Sequence, residues 1–211
     1  MITVTTFQLG VMSTNTYVIT DKATGATALV DPAGTDDSLT KHLQSLGKDA
    51  VKYILLTHGH FDHIAGARFY ADMFSAKIVI SLAEEPFLHD NNLNLSAFFG
   101  NSQLACCNAD ITVKGGDKLM LGESEFQFIL TPGHTCGSGC YVFPEDRIIF
   151  SGDTLFFRSM GRVDFPTGNP SQMITSLHRL RDMQGDYKVY PGHDRPTSLE
   201  DERHFNPYFN S

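Results

Sequence analysis

The apolar positions of the chain form short runs that predict strands, separated by amphipathic stretches that predict helices. Residues 2–9, 14–20 and 26–31 are rich in β-branched and aromatic side chains, which strands favour. Residues 51–56 form a short, mainly apolar run that is typical of a buried strand. The same reasoning predicts strands at 77–81, 118–121, 125–130, 139–143, 147–151 and 187–190.

Helices are predicted where acidic residues or a proline begin an amphipathic stretch. Asp36 and Asp37 open one helix, and Gly47 is suited to its end. Pro170 lies in the first turn of another helix, which continues to Met183. Further helices are predicted at 62–74, 84–89 and 198–204.

The chain of 211 residues contains no linker or low-complexity segment, so we expect one domain over residues 1–211. Apolar residues make up 41% of it, enough for a substantial core. The net charge of -8, without a Lys/Arg cluster, argues against nucleic acid as a partner.

The sequence predicts no membrane partner and a cytoplasmic location. No apolar run reaches the length of a membrane-spanning helix, and the N-terminus does not resemble a signal peptide. The four cysteines contain no CxxC pair and do not resemble a disulfide framework, which favours a reducing compartment. They are Cys106, Cys107, Cys136 and Cys140.

The strongest chemical signal directly follows the strand predicted at 51–56. His58, His60, Asp62 and His63 place four potential metal ligands in six consecutive positions. Two histidines in an extended turn can converge, whereas Asp62 and His63 can point elsewhere as the chain bends into a helix. One loop can therefore supply ligands to two neighbouring metal ions. Imidazole and carboxylate ligands suit zinc, iron or manganese.

Two coordination shells need further ligands, and three later turns can provide them. In each turn a predicted strand is followed by a glycine and then by a ligand-type residue. Glycine permits an unusual backbone angle and close approach at such a turn. Strand ends are also where open sheets place functional loops. The three ligand-type residues are His134, Asp153 and His193.

The remaining histidines are interpreted as surface residues or satisfied core residues, because a lone histidine usually has no special role. The string from His58 to His63 has no comparable ordinary explanation, since burying it without a ligand would be costly. The histidines set aside are His42, His89, His178 and His204.

The order of the ligands resembles that of the metallo-β-lactamase superfamily across nearly the whole chain. The resemblance implies a mixed α and β fold, the four-layer αββα sandwich. It also implies two metal sites. The first would hold its ion with His58, His60 and His134, and the second with Asp62, His63 and His193. Asp153 would bridge both ions.

Three shorter segments are similar to the glyoxalase II-like branch of this superfamily, in its short bacterial form. They are residues 152–156, 161–166 and 202–207. Longer members of the branch carry a helical C-terminal domain that helps hold glutathione. This chain ends soon after His193, so we expect only weak dependence on a glutathione moiety.

The resemblance implies a metal-dependent hydrolase that cleaves a thioester such as S-lactoylglutathione. Two divalent ions, with zinc favoured and iron or manganese as alternatives, would share an attacking hydroxide. Asp153 would hold both ions, and Asp62 would help to orient the hydroxide. A mononuclear-iron persulfide dioxygenase, whose ligands resemble His58, His134 and Asp153, is an alternative, and a lactonase is another.

The expected partner is a small-molecule thioester, and the expected assembly is a monomer or small homo-oligomer. Arg158 and Arg162 follow the bridging ligand and are candidates for binding a substrate carboxylate. For Arg162, an internal ion pair with Asp164 is the favoured interpretation. The family usually has proline where Cys136 stands, and we expect this cysteine to be a small buried filler.

Overall fold

Two six-stranded sheets form the centre of the fold in a computed structural model that describes residues 1–99 and 107–210. The first sheet contains, in spatial order, β1 (Ile2–Leu9), β2 (Thr14–Asp21), β3 (Thr27–Val30), β4 (Val51–Leu55), β5 (Lys77–Ser81) and β6 (Ile111–Val113). The second contains β14 (Thr197–Ser198), β13 (Lys188–Pro191), β10 (Ile148–Gly152), β9 (Gly139–Phe143), β8 (Ser124–Leu130) and β7 (Lys118–Leu121). A small hairpin pairs β11 (Leu155–Phe156) with β12 (Ser159–Met160).

The two sheets pack face to face through alternating side chains of their strands. Tyr17 and Ile19 of β2 contribute to the core that also contains Phe128 of β8 and Phe150 of β10. Val18, which lies between the first two in sequence, belongs instead to a second core on the opposite face of its sheet. The period of two places every second side chain on the same face. Each sheet is therefore apolar on both faces.

Helices cover the outer face of each sheet. The helices are α1 (Asp37–Ser45), α2 (Phe61–Ile64), α3 (Ala67–Phe74), α4 (Pro170–Arg181) and α5 (Leu199–Phe205). Leu39 of α1 and Tyr70 of α3 pack into the core outside the first sheet. Leu177 of α4 and Leu199 of α5 pack into the core outside the second. The arrangement is a four-layer αββα sandwich, as expected from the sequence.

The predicted helix over 62–74 is wrong as a single element. The chain forms two helices, α2 and α3, with Gly66 between them. The N–H of Gly66 donates to the Pro32 carbonyl at 2.7 Å, and a Cβ on Gly66 would lie 2.6 Å from the Gly34 carbonyl oxygen. The tertiary contact with this neighbouring loop therefore accounts for the break, which periodicity alone does not reveal.

Other differences concern short elements. The helix predicted at 84–89 is a 3-10 turn, Glu85–Leu88, and a second such turn is formed by Pro207–Phe209. The strands β6, β11, β12 and β14 have two or three residues each, too few for a periodic signal. Cys106 lies outside the described residues, while Cys136 and Cys140 are free thiols. No helix in the described ranges is long and apolar enough to cross a membrane.

The two sheets are joined by hydrogen bonds at the edge where the predicted ligands lie. The N–H of Gly139 donates to the Thr57 carbonyl at 3.0 Å, and the N–H of Asn15 donates to the Gly192 carbonyl at 2.7 Å. The Tyr17 hydroxyl donates to the Pro191 carbonyl at 2.6 Å. Ligands that arise from different sheets are thereby fixed relative to one another.

Candidate metal centre

Seven side chains from five chain segments converge at this edge. β3 and β4 are parallel, as are β10 and β13, so the carboxyl ends within each pair face the same direction. Among the described residues, three overlapping groups of neighbouring ligand atoms that could hold a metal ion lie there, and the one formed by His58, His63 and Asp153 shares members with the other two. The side chains that supply them follow β4, β8, β10 and β13 or lie in α2. They are His58, His60, Asp62, His63, His134, Asp153 and His193.

The first group contains three buried imidazoles, those of His58, His60 and His134. Nδ1 of His60 lies 3.1 Å from Nε2 of His58 and 2.9 Å from Nε2 of His134. The Nδ1 atoms of His58 and His134 have other hydrogen-bond partners. Nδ1 of His134 lies 2.7 Å from the Arg162 carbonyl, and Nδ1 of His58 lies 3.2 Å from the Thr57 hydroxyl. Nε2 of His58, Nδ1 of His60 and Nε2 of His134 are thus left to face a common point.

The second group contains Asp62, His63 and His193. Oδ2 of Asp62 lies 3.7 Å from Nε2 of His63 and 3.4 Å from Nε2 of His193. Asp153 lies between the two groups. Its Oδ2 is 3.5 Å from Nε2 of His134 and 3.6 Å from Nε2 of His193, and its Oδ1 is 3.4 Å from Nε2 of His63.

The donor set fits metal ions for a reason independent of sequence motifs. Nε2 of His63 and Oδ1 of Asp153 are buried side-chain atoms without a hydrogen-bond partner. Buried polar atoms normally have a hydrogen-bond partner, and one that has none indicates a bound ion or water, strain or a catalytic role. Both atoms face the second group of ligands, where a cation would satisfy them.

Electrostatics inside the cluster also favour a bound cation. Burial and the neighbouring imidazoles lower the pKa of His58 well below its ordinary value and that of His60 to about 3, so both rings are neutral, as ligation requires. Burial alone lowers the pKa of His63, but the carboxylates of Asp153, Asp62 and Asp31 outweigh it and raise that pKa well above its ordinary value. Without metal, the His63 ring therefore keeps a proton, which a bound cation would displace.

Asp31, which was not among the residues selected from sequence, contacts His63 of the second group on the side away from the other ligand atoms. Its buried carboxylate lies 2.9 Å from Nδ1 of His63 and accepts hydrogen bonds from the N–H and hydroxyl of Thr57 at 2.8 and 2.6 Å. Thr14 similarly donates its hydroxyl to Asp62 at 3.1 Å. The available signal was the position of Asp31 directly after β3, the same strand-end placement as the ligands.

Glu84 is a second residue that the sequence analysis missed. Its carboxylate accepts the N–H of Gly59, between His58 and His60, at 2.9 Å, and the N–H of Gly137, after His134, at 2.8 Å. Burial raises the pKa of Glu84, and hydrogen bonds from Thr135, Gly59 and Gly137 oppose this change. One buried carboxylate thus connects the two loops that carry the first group.

Two glycines allow the ligand turns to form as expected. Gly152 has a φ of +48°, a left-handed conformation that side chains disfavour. A Cβ on Gly192 would lie 2.2 Å from Oδ1 of Asp153 and 2.7 Å from the His63 ring. The glycine before His193 is therefore required by close packing against two other ligand side chains.

A cavity of about 420 Å³ opens above the cluster. Its floor includes His60, His134 and His193, and most of its wall is apolar. Arg162 lines the cavity, but its guanidinium donates two hydrogen bonds to Asp164, at 2.7 and 2.6 Å, so the ion pair favoured from sequence is present. Arg158 is exposed and lies over the rings of Phe157 and Phe205, and it does not line the cavity.

Cys136 is exposed, so the expectation of a buried filler is wrong. Its N–H is held by the Thr167 hydroxyl at 3.1 Å, which fixes the backbone at the surface. Burial of part of the side chain and the charge of Glu84 raise the pKa of its thiol. Among the described residues it belongs to none of the ligand groups, and the four histidines set aside from sequence are likewise absent from them.

Comparison with known proteins agrees with this geometry. The profile of the Metallo-beta-lactamase superfamily matches residues 9–193, and the chain belongs to this superfamily. It is 31% identical to the hydroxyacylglutathione hydrolase GloC of Haemophilus influenzae, over 87% of each chain. Among solved structures it is similar to the BLEG-1 B3 metallo-beta-lactamase, with a TM-score of 0.92 and 29% identity over 99% of this chain and 100% of that one. The di-iron-bound form of TTHA1623 gives a TM-score of 0.83 and 28% identity, over 97% and 99%.

Proposed function

We propose that this protein is a dinuclear metallo-hydrolase that cleaves a thioester such as S-lactoylglutathione. The observation that carries the proposal is the position of Asp153, whose carboxylate lies within 3.6 Å of ligand nitrogens from both groups. The similarity to GloC and to a di-iron-bound structure supports thioester cleavage and two ions. Zinc is the proposed metal, with iron or manganese as alternatives, and the cytoplasm is the proposed location.

Each metal ion would be held by its own group of side chains. His58, His60 and His134 would hold the first ion, Asp62, His63 and His193 the second, and Asp153 both. Bound divalent ions supply Lewis acidity, which lowers the pKa of water and polarises a carbonyl. Asp62 would also take part in the reaction itself. Its side chain lies at the cavity floor and is 12% exposed.

Asp62 is suited to orient an attacking water. Burial raises its pKa, but His63 and His193 outweigh this effect and hold the pKa below its ordinary value, so the carboxylate is ionised at neutral pH. An ionised carboxylate only accepts hydrogen bonds. Asp62 can therefore accept one from water while the water oxygen attacks the thioester carbonyl carbon.

A thioester suits this cavity because its leaving group needs little help from an acid. A thiol has an ordinary pKa of about 8.5, so the thiolate departs at neutral pH with little or no protonation. All three histidines that line the cavity belong to the proposed ligand groups. No described histidine remains there to serve as a separate general acid.

The alternative of a mononuclear-iron persulfide dioxygenase has one observation in its favour. The ligands that it would use, His58, His134 and Asp153, are also adjacent, with Nε2 of His134 lying 3.5 Å from Oδ2 of Asp153. The second group of ligands has no role in that chemistry. Oxygen consumption with a persulfide substrate distinguishes the two functions.

The proposal is tested by loading metal-free protein with zinc, iron or manganese and measuring hydrolysis of S-lactoylglutathione and of a thioester of a neutral thiol. We expect activity that a chelator removes and metal restores. Asp153→Asn should bind less metal and lose most activity while keeping its fold. Asp182→Asn, which changes an exposed aspartate paired with Arg181, is the matched control. Normal turnover and metal content in Asp153→Asn would refute the bridging role.

A further inference from the structure

The wall of the cavity above the ligands is built mainly from large apolar side chains. Phe156 and Met160 come from the hairpin of β11 and β12, Phe165 from the loop that follows, and Met12 from the turn between β1 and β2. Phe99 completes the opposite side, with its ring centroid 4.9 Å from that of Phe61. These side chains come from separate segments, so the apolar wall is not a consequence of one strand facing the core.

Two of these side chains remain exposed at the cavity mouth. Met12 is 45% exposed and Phe99 is 50% exposed. Large apolar side chains gathered at an exposed site mark an interaction surface or a ligand groove. Because both also line the cavity, the apolar surface continues from the ligand cluster to solvent.

The cavity offers little to a ligand that carries carboxylates. Among the described residues that line it, Arg162 is the one lysine or arginine. Its charge is offset by Asp164, and its guanidinium lies 3.8 Å from the centroid of the Phe165 ring. A glutathione moiety brings two carboxylates, and the described wall holds no unpaired cation to receive either.

We infer that, among thioesters, the preferred substrate carries an apolar chain that lies along this wall, and that a glutathione thioester such as S-lactoylglutathione is cleaved less efficiently. The inference rests on the proposed thioesterase function and specifies its substrate class. Burial of one methylene group in an apolar environment improves binding about fourfold. The value of kcat/KM should therefore rise by about that factor for each added methylene until the chain reaches solvent.

The test is a chain-length series on the metal-loaded protein. One arm uses acetyl, butanoyl, hexanoyl and octanoyl esters of N-acetylcysteamine, and the other uses acetyl esters of ethanethiol, butanethiol and hexanethiol. S-lactoylglutathione is measured beside them. We expect kcat/KM to rise with chain length in at least one arm and to exceed that of the glutathione ester. The arm that rises shows whether the acyl or the thiol side lies along the wall.

A binding measurement separates recognition from turnover. S-octyl-N-acetylcysteamine, a thioether that lacks the thioester carbonyl and cannot be hydrolysed as a thioester, is titrated into metal-free protein by calorimetry, with the S-ethyl compound as reference. We expect tighter binding of the octyl compound and a more negative heat-capacity change, the mark of apolar burial.

Two matched pairs of variants locate the effect. Met12→Ser and Phe99→Ala should each lower kcat/KM for the longest ester of the arm that rises about tenfold, because one lost apolar contact in a pocket has roughly this effect. The shortest ester of that arm places less of its chain against these side chains and should be affected less. Met120→Ser and Phe69→Ala alter side chains that are similarly exposed, at 49% and 42%, but lie outside this cavity, and should behave as wild type.

The outcomes distinguish this inference from the function on which it rests. If thioesters are cleaved but neither arm rises, or the glutathione ester is preferred, the apolar substrate class is wrong and thioesterase activity stands. If no thioester is cleaved by protein with both metals bound, both proposals are overturned.

Discussion

The imidazole of His63 and the carboxylate of Asp31 form a buried pair, with Nδ1 of the ring 2.9 Å from Oδ2 of the aspartate. Nε2 of the same ring faces the second group of ligands and has no hydrogen-bond partner. A carboxylate behind a ligating imidazole fixes the ring and increases its basicity. We therefore expect Asp31 to act as a positioning residue for the proposed second metal site.

The Asp31→Asn variant tests this relationship. We expect metal affinity at the second site to fall about 10- to 100-fold, because the orienting negative charge is lost. Asparagine tolerates the left-handed backbone of Asp31, which has a φ of +46°. Affinity is measured by competition with a chelator, with the exposed Asp72→Asn as control. Unchanged affinity at both sites would show that the pair has no role in metal binding.

Glu84 should matter to both stability and the first site. Glu84→Ala leaves the N–H groups of Gly59 and Gly137 without their acceptor, and two such losses cost about 2–5 kcal/mol of unfolding free energy. We expect the first metal to be held more weakly in the folded variant. Glu85→Ala is the control. It removes a neighbouring exposed carboxylate that forms an ion pair with His89, and it should change neither stability nor metal binding. Denaturant unfolding and chelator competition measure the two effects.

Glu202 holds the hairpin that supplies Phe156 and Met160 to the cavity. Its buried carboxylate accepts the N–H of Arg158 at 2.9 Å, the Thr197 hydroxyl at 2.7 Å and the Asn206 amide at 2.7 Å. Since none of these contacts involves a ligand, Glu202→Gln should raise KM and lower stability while leaving metal content intact. Elemental analysis and steady-state kinetics test this, with the exposed Glu200→Gln as control. Loss of metal in Glu202→Gln would contradict the assignment.

Asp21 gives the fold an acid-sensitive contact between the two sheets. It lies at the end of β2, and it accepts the N–H of Glu123, in the turn between β7 and β8, at 3.1 Å and the hydroxyl of Ser124, the first residue of β8, at 3.1 Å. These hydrogen bonds, with those from Thr24 and Ala23, outweigh burial and lower its pKa to about 2.

The lowered pKa of Asp21 stabilises the fold above the unfolded pKa near 3.8, and this stabilisation is lost as pH falls towards 2. A shift of this size corresponds to about 2 kcal/mol. Asp21→Asn should therefore be less stable than wild type at pH 7 by about that amount, and the difference should shrink at low pH. Urea unfolding of metal-free protein measures it. A constant difference at every pH would contradict the account.

The convergence of the candidate ligands could be predicted from sequence because their signals are local. His58, His60, Asp62 and His63 are adjacent in the chain, and the other three ligands follow recognisable strands and glycines. Glu84 could not be predicted, because it acts on Gly59 across 25 residues without a repeated spacing. Asp31 has a local signal in its position after β3, but the spacing does not reveal its contact with Thr57, 26 residues away. The break between α2 and α3 also depends on a tertiary contact.

The residues that form the cavity wall could not be predicted from sequence for the same physical reason. Met12, Phe99, Phe156 and Phe165 are ordinary apolar residues in sequence and become a wall only when four segments meet. Arg158 and Arg162 were both candidates in sequence, with an ion pair to Asp164 favoured for Arg162. The structure separates them, since Arg162 lines the cavity and Arg158 stacks on two exposed or half-buried rings away from it.

The central claim is that thioester hydrolysis requires both metal sites. Its most direct test is a titration of metal-free protein with zinc, in which the initial rate of hydrolysis is followed as a function of metal equivalents per chain. The account predicts that the rate continues to rise until two equivalents are bound. A rate that reaches its maximum at one equivalent, with no further change when the second is added, would contradict it.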